Sequence, residues 1–95
     1  MTVKNFGIQG TFTGTGSSES VSPSEYVLVI LEAGNATIDV EIQPPESSTW
    51  VKCGTEGIGL DASADVVKVY QAPACKVRLT CTAYTGATNY WLVAR

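Results

Sequence analysis

The chain has 95 residues, enough for one domain, and its 44% hydrophobic content is too high for a disordered segment. Charged residues are only 16%, against roughly 25% in ordinary soluble domains, and the net charge of −3 argues against a nucleic-acid surface. Histidine is absent, which removes the commonest general base and metal ligand, and no apolar run approaches the ~20 residues that span a bilayer.

Residues Val3 to Thr13 hold a first strand, loosened by Gly7 and Gly10. Gly14 to Ser24 is rich in Gly, Ser and Thr and reads as a loop ending near Pro23. Tyr26 to Glu32 is a nearly continuous apolar run, which suits a strand covered on both sides, and it stops at Gly34-Asn35. Thr37 to Gln43 alternates. Ile38, Val40 and Ile42 point one way, while Thr37, Asp39, Glu41 and Gln43 point to a wet face. Pro44-Pro45 ends that strand, because proline has no N–H to give to a ladder.

Short strands follow at Trp50 to Cys53 and Gly57 to Leu60, then Val66 to Gln71, stopped by Pro73. Lys76 to Tyr84 alternates, with Val77, Leu79, Cys81 and Ala83 inward. Thr85 to Thr88 is a turn, and Asn89 to Ala94 closes the chain. Frequent β-branched and aromatic residues with closely spaced turn residues predict an all-β domain over 1–95. The expected form is an antiparallel β-sandwich or jelly roll of seven to eight short strands, with no helix longer than about two turns.

The chemistry-bearing residues form no recognisable machine. Cys53, Cys75 and Cys81 have no imidazole partner, and an odd number cannot all pair within one chain. They read as reduced thiols, with Cys81 and Cys53 inward and Cys75 the most reachable. Asp39 and Glu41 share a strand face at roughly 7 Å, the spacing of a sugar-hydrolysing pair, but charges at i and i+2 on a solvated strand are ordinary. Asp61-Ala62-Ser63-Ala64-Asp65 starts like a calcium loop. Val66 and Ala72 stand where that loop needs its glycine and its bidentate glutamate, so the segment reads as a turn. Asn35-Ala36-Thr37 fits a glycosylation sequon by its three residues only. No catalytic residue, metal ligand or cofactor site is expected, and the chain reads as a non-enzyme.

Two strands carry large apolar residues on both parities: Tyr26, Leu28 and Ile30 against Val27, Val29 and Leu31, and Tyr90 and Leu92 against Trp91 and Val93. Only one face of a sandwich strand enters its own core. Tyr26, Leu28, Ile30, Tyr90 and Trp91 are therefore the candidate interaction surface, with a two-sided core as the alternative. A carbohydrate-binding module would instead use Trp50, Trp91 or a tyrosine as a stacking platform beside carboxylates.

Several segments between Ala36 and Arg95 combine into a pattern: Ile38 to Ile42, Thr49-Trp50-Val51, Gly54, Val67-Lys68-Val69-Tyr70, Ala72-Pro73 and Arg78-Leu79-Thr80-Cys81-Thr82-Ala83-Tyr84-Thr85. With Gly10-Thr11-Phe12 and Gly86, this pattern resembles a group of small tailed-bacteriophage virion proteins. Those relatives usually carry an Asp-Gly-Gly hairpin before the tryptophan, where this chain has Pro44-Pro45-Glu46-Ser47-Ser48. The resemblance implies a structural virion protein made in bacterial cytoplasm, either a capsid decoration (cement) protein or a minor tail, neck or fibre component. It implies the major capsid protein or other virion subunits as partners, a homo-oligomer, and neither nucleic acid nor membrane.

Overall fold

The computed structural model describes residues 6–53, 60–61 and 65–95. They form nine strands and no helix: β1 (Phe6–Phe12), β2 (Gly16–Ser17), β3 (Tyr26–Leu31), β4 (Ala36–Gln43), β5 (Val51–Lys52), β6 (Leu60–Asp61), β7 (Val66–Gln71), β8 (Lys76–Tyr84) and β9 (Thr88–Ala94). One sheet runs β1-β9-β3-β7; the other runs β2-β8-β4-β5, with β6 also on β4. All pairings are antiparallel. The fold is the small β-sandwich that the alternation predicts.

The strands arise where the sequence alternates or runs apolar, and the core is where their inner parities meet. Val27, Val29 and Leu31 of β3 and Leu92 and Ala94 of β9 face Ile38 and Val40 of β4 and Val77, Leu79 and Cys81 of β8. All ten side chains are buried, and dense packing of branched side chains is what holds the two sheets together. The turn from β3 to β4 depends on two residues. Asn35 adopts the left-handed φ of 59°, and Gly34 lies so close to the Ala87 carbonyl that a Cβ there would collide with it.

Three expectations need correction. Residues Gly14 to Ser24 are not a free loop: β2 pairs with β8, and Val21 bonds Val77 in both directions at 2.9 Å. Backbone N–H and C=O groups pair whatever the side chain, and the buried Val21 anchors the stretch to the core. Ala83 is exposed, because a register shift between Thr37 and Ile38 lets Thr37 face Ala83 while Ile38 faces Cys81. The extra residue, Thr82, is a bulge that ends the alternation. The outer parity of β4 is also not wet, as described below. Of the strand expected from residue 57 to 60 and of the 61–65 turn, residues 57–59 and 62–64 lie outside the described residues, as do residues 3–5 of the first strand.

Candidate functional site

The outer face of the β1-β9-β3-β7 sheet is built by register. Ile30 stands between Trp91 of β9 and Val67 of β7, and Trp91 faces Gln9 of β1. One row along, Leu28 stands between Val93 and Val69, and Val93 faces Gly7. In the next row Tyr26 stands between Gln71 and Arg95, the latter exchanging both backbone bonds with Tyr26 at 3.0 and 2.9 Å. Directly opposite residues share a face. Tyr26, Leu28, Ile30 and Trp91 therefore lie on one surface, with Val67, Val69 and Val93 beside them.

That surface is apolar and open. Val67 and Val69 are 65% and 60% exposed, and Tyr26, Leu28, Ile30, Trp91 and Val93 are half-buried by one another. Among the described residues of this parity, the charged ones stand at its ends. Glu32 and Asp65 follow and precede the Ile30 row, and together with Ile30, Leu31, Val67 and Trp91 they line a shallow groove of about 400 Å³. The Asp65 carboxylate is itself fixed, accepting the Ala33 N–H at 2.8 Å.

Tyr90 does not belong to this surface. Its parity is the inner one, its ring centroid lies 4.7 Å from that of Phe12, and it packs on the core beneath Gly10. Burial raises the pKa of its hydroxyl above the ordinary value, with the nearby charge of Glu19 adding to it. Trp91, one residue further, points the opposite way. Val67, Val69 and Val93 were missed as surface residues. The signal for Val67 and Val69 was present in Val66-Val67-Lys68-Val69-Tyr70, which like β3 carries apolar residues on both parities, and that for Val93 in the parity it shares with Trp91.

The outer face of the second sheet has a different chemistry. Asp39 and Glu41 project outward from β4 yet are only 4% and 8% exposed. Asp39 pairs with Lys52 of β5 at 3.2 Å, and Glu41 with Arg78 of β8 at 2.8 Å. Thr80 donates a second hydrogen bond to the same Glu41 oxygen and shares one with Ser17 of β2. The Arg78 guanidinium lies over the Trp50 ring, 4.2 Å from its centroid. The wet face expected for β4 is thus a sheathed ion-pair network, because its neighbours in register happen to be cations and hydroxyls. Burial pushes the Glu41 carboxyl up, but the bonds from Thr80 and Arg78 and the charges of Arg78 and Lys52 outweigh it and hold it below its ordinary value of 4.5. Each carboxylate is committed to a cation. The pair therefore ties β5 and β8 to β4 and is poorly placed for proton transfer to a substrate.

All three cysteines are free thiols. Cys81 is buried and touches the Ala83 carbonyl, while Cys53 and Cys75 are half-buried at the core margin. Burial raises the pKa of both Cys81 and Cys53, disfavouring the reactive thiolate. No group of three or more His, Cys, Asp or Glu among the described residues could hold a metal ion, and these residues form no helix long and apolar enough to cross a membrane. No protein-family model, no curated protein and no solved structure matches this chain.

Proposed function

We propose that this protein is a structural, non-catalytic docking module of a bacteriophage virion, most simply a capsid decoration protein that lies on the head and stabilises it. The observation that carries the docking reading is the open apolar surface of Trp91, Ile30, Val67, Leu28, Val69 and Val93, which no other strand among the described residues covers. Apolar surface of this extent is covered when it meets another protein. The virion setting rests on the sequence resemblance, whose Val67-Lys68-Val69-Tyr70 segment supplies one edge of that surface. A minor tail, neck or fibre position uses the same surface against a different subunit.

The test is addition of purified protein to undecorated heads. Saturable binding and a raised disruption temperature are expected, and both are lost in Ile30→Lys. Heads that neither bind the protein nor change in stability would refute the decoration role. A second reading, a carbohydrate-binding module, is favoured by one observation: Trp91 lines an open groove beside Glu32 and Asp65. Glycan binding abolished by Trp91→Ala would establish it in place of the docking role.

A further inference from the structure

We infer that two copies of this chain join edge to edge through β1, antiparallel about a two-fold axis at Gln9, so that their β1-β9-β3-β7 sheets continue as one sheet. This goes beyond the docking reading and uses a different part of the molecule, the rim of the sheet and not its open face.

An edge strand offers unpaired N–H and C=O groups to any strand that fits, and proteins blunt such edges by keeping them short or by pointing a charge inward. Every edge here is blunted except β1. In the second sheet β2 stands at one edge and β5 and β6 at the other, each of two residues. In the first sheet β7 is longer, but its Lys68 has the inner parity. It ends the row Ile8, Leu92, Val29, Lys68. Leu92 and Val29 of that row are fully buried, and Lys68 is exposed. At the opposite end of the same row β1 places Ile8, which is apolar and only half-buried, with no strand beyond it among the described residues.

β1 has seven residues, Phe-Gly-Ile-Gln-Gly-Thr-Phe, without a charge or a proline. Apart from its ladder to β9, no backbone hydrogen bond among the described residues involves it. Ser20, Val21 and Ser22 stand off from its start across a groove of about 410 Å³ that Gly7 also lines. The edge is therefore long, uncharged and open.

The sequence of the strand selects a second copy as its partner. Antiparallel pairing about Gln9 uses all seven residues and sets Gly7 opposite Thr11 and Gly10 opposite Ile8 of the second copy, each twice. Opposite residues share a face, so both glycines, which leave gaps in the sheet surface, meet β-branched side chains. Tyr90 already fills the space at Gly10, where a Cβ would collide with its ring, and Ile8 of the second copy extends that contact. Gln9 faces Gln9, and each amide is both donor and acceptor. Moving the axis to Ile8 or to Gly10 shortens the ladder to five residues, and at Gly10 it sets glycine on glycine. No charge meets its own copy within the ladder. Glu19 is exposed near this edge, and its charge is felt at the Tyr90 hydroxyl. Its repulsion across the axis makes the association tighter as salt is added. A seven-residue ladder is only about 23 Å long, so the dimer is reversible.

Sedimentation over a wide concentration range, with mixing of two charge variants, tests the assignment. A reversible dimer that tightens with salt is expected. Gln9→Lys and Gln9→Glu each set like charges opposite one another on the axis. Each is expected to weaken the dimer about tenfold with an unchanged circular dichroism spectrum, and an equal mixture of the two to form a mixed dimer within about threefold of wild type. Ile8→Lys gives β1 the guard that Lys68 gives β7 and is expected to leave a monomer. Should it unfold, the Gln9 variants carry the test alone. Ile30→Lys, on the open face, is expected to leave the dimer intact, so loss of head binding and loss of the dimer are separate results. Wild type that stays monomeric at several hundred micromolar overturns the inference, whether or not it binds heads. A dimer indifferent to Gln9→Lys, or one dissociated by Ile30→Lys in a folded chain, overturns the choice of edge. Gln9 variants that stay weak on mixing overturn the two-fold register.

Discussion

The two outer faces of this sandwich are made by the same device and end in opposite states. On β4, the outward residues Asp39 and Glu41 are almost fully covered by Lys52, Arg78, Thr80 and Trp50. On β3 and β7, the outward residues Leu28, Ile30, Val67 and Val69 are apolar, and their neighbours in register on that face are one another and Trp91 and Val93 of β9. Polar side chains that find partners within the chain leave a finished surface. Apolar side chains that find too few leave an unfinished one. Being outward on a strand therefore does not decide whether a residue is wet. What decides it is the chemistry of the residues in register on the neighbouring strands.

Consecutive residues of β9 give the largest test. Leu92 is fully buried, so Leu92→Ala is expected to cost about 3–4 kcal/mol in chemical denaturation through the lost methyls and the cavity left behind. Truncating its neighbour Trp91 on the open face should cost clearly less fold stability and act mainly on association. Equal losses would mean that the open face is part of the monomer's own core.

Arg78→Ala probes the finished face. It leaves Glu41, 8% exposed, without its guanidinium and uncovers Trp50, so a loss of about 2–3 kcal/mol is expected. A loss below about 1 kcal/mol would place this pair among ordinary surface salt bridges. The same network gives a pH signature. The carboxyl of Glu41 is held below its ordinary value in the folded protein, so its contribution is fully present above about pH 4.5 and fades as the pH falls through the folded-state value. Unfolding free energy measured from pH 6 to 3 should fall less steeply in Glu41→Gln than in wild type.

Thiol labelling is a smaller effect. Cys81 should react last, because it is 1% exposed and burial disfavours its thiolate, while Cys53 and Cys75 at the core margin react sooner. The smallest change is Val69→Thr on the open face. A residue 60% exposed should alter monomer stability by less than about 0.5 kcal/mol, which sharpens the contrast with Leu92→Ala.

Much of the fold follows from local pattern. Period-2 alternation places β4 and most of β8, and Gly34-Asn35 and Pro44-Pro45 mark where strands stop. These features are legible because each depends on backbone geometry or on residues a few positions apart. The two-sided apolar runs of β3 and β9 likewise announce that one apolar parity lies outside the core. They do not tell which parity is the surface, and so Tyr90 had to be exchanged for Val67, Val69 and Val93. Tertiary structure decided that question, the covering of Asp39 and Glu41, the pairing of Gly16 to Val21 along β8, and the bulge that turns Ala83 outward. The physical reason is the same in each case. Alternation says that residues differ in side, but burial and pairing are set by strands distant in sequence, whose register only the assembled sheets establish.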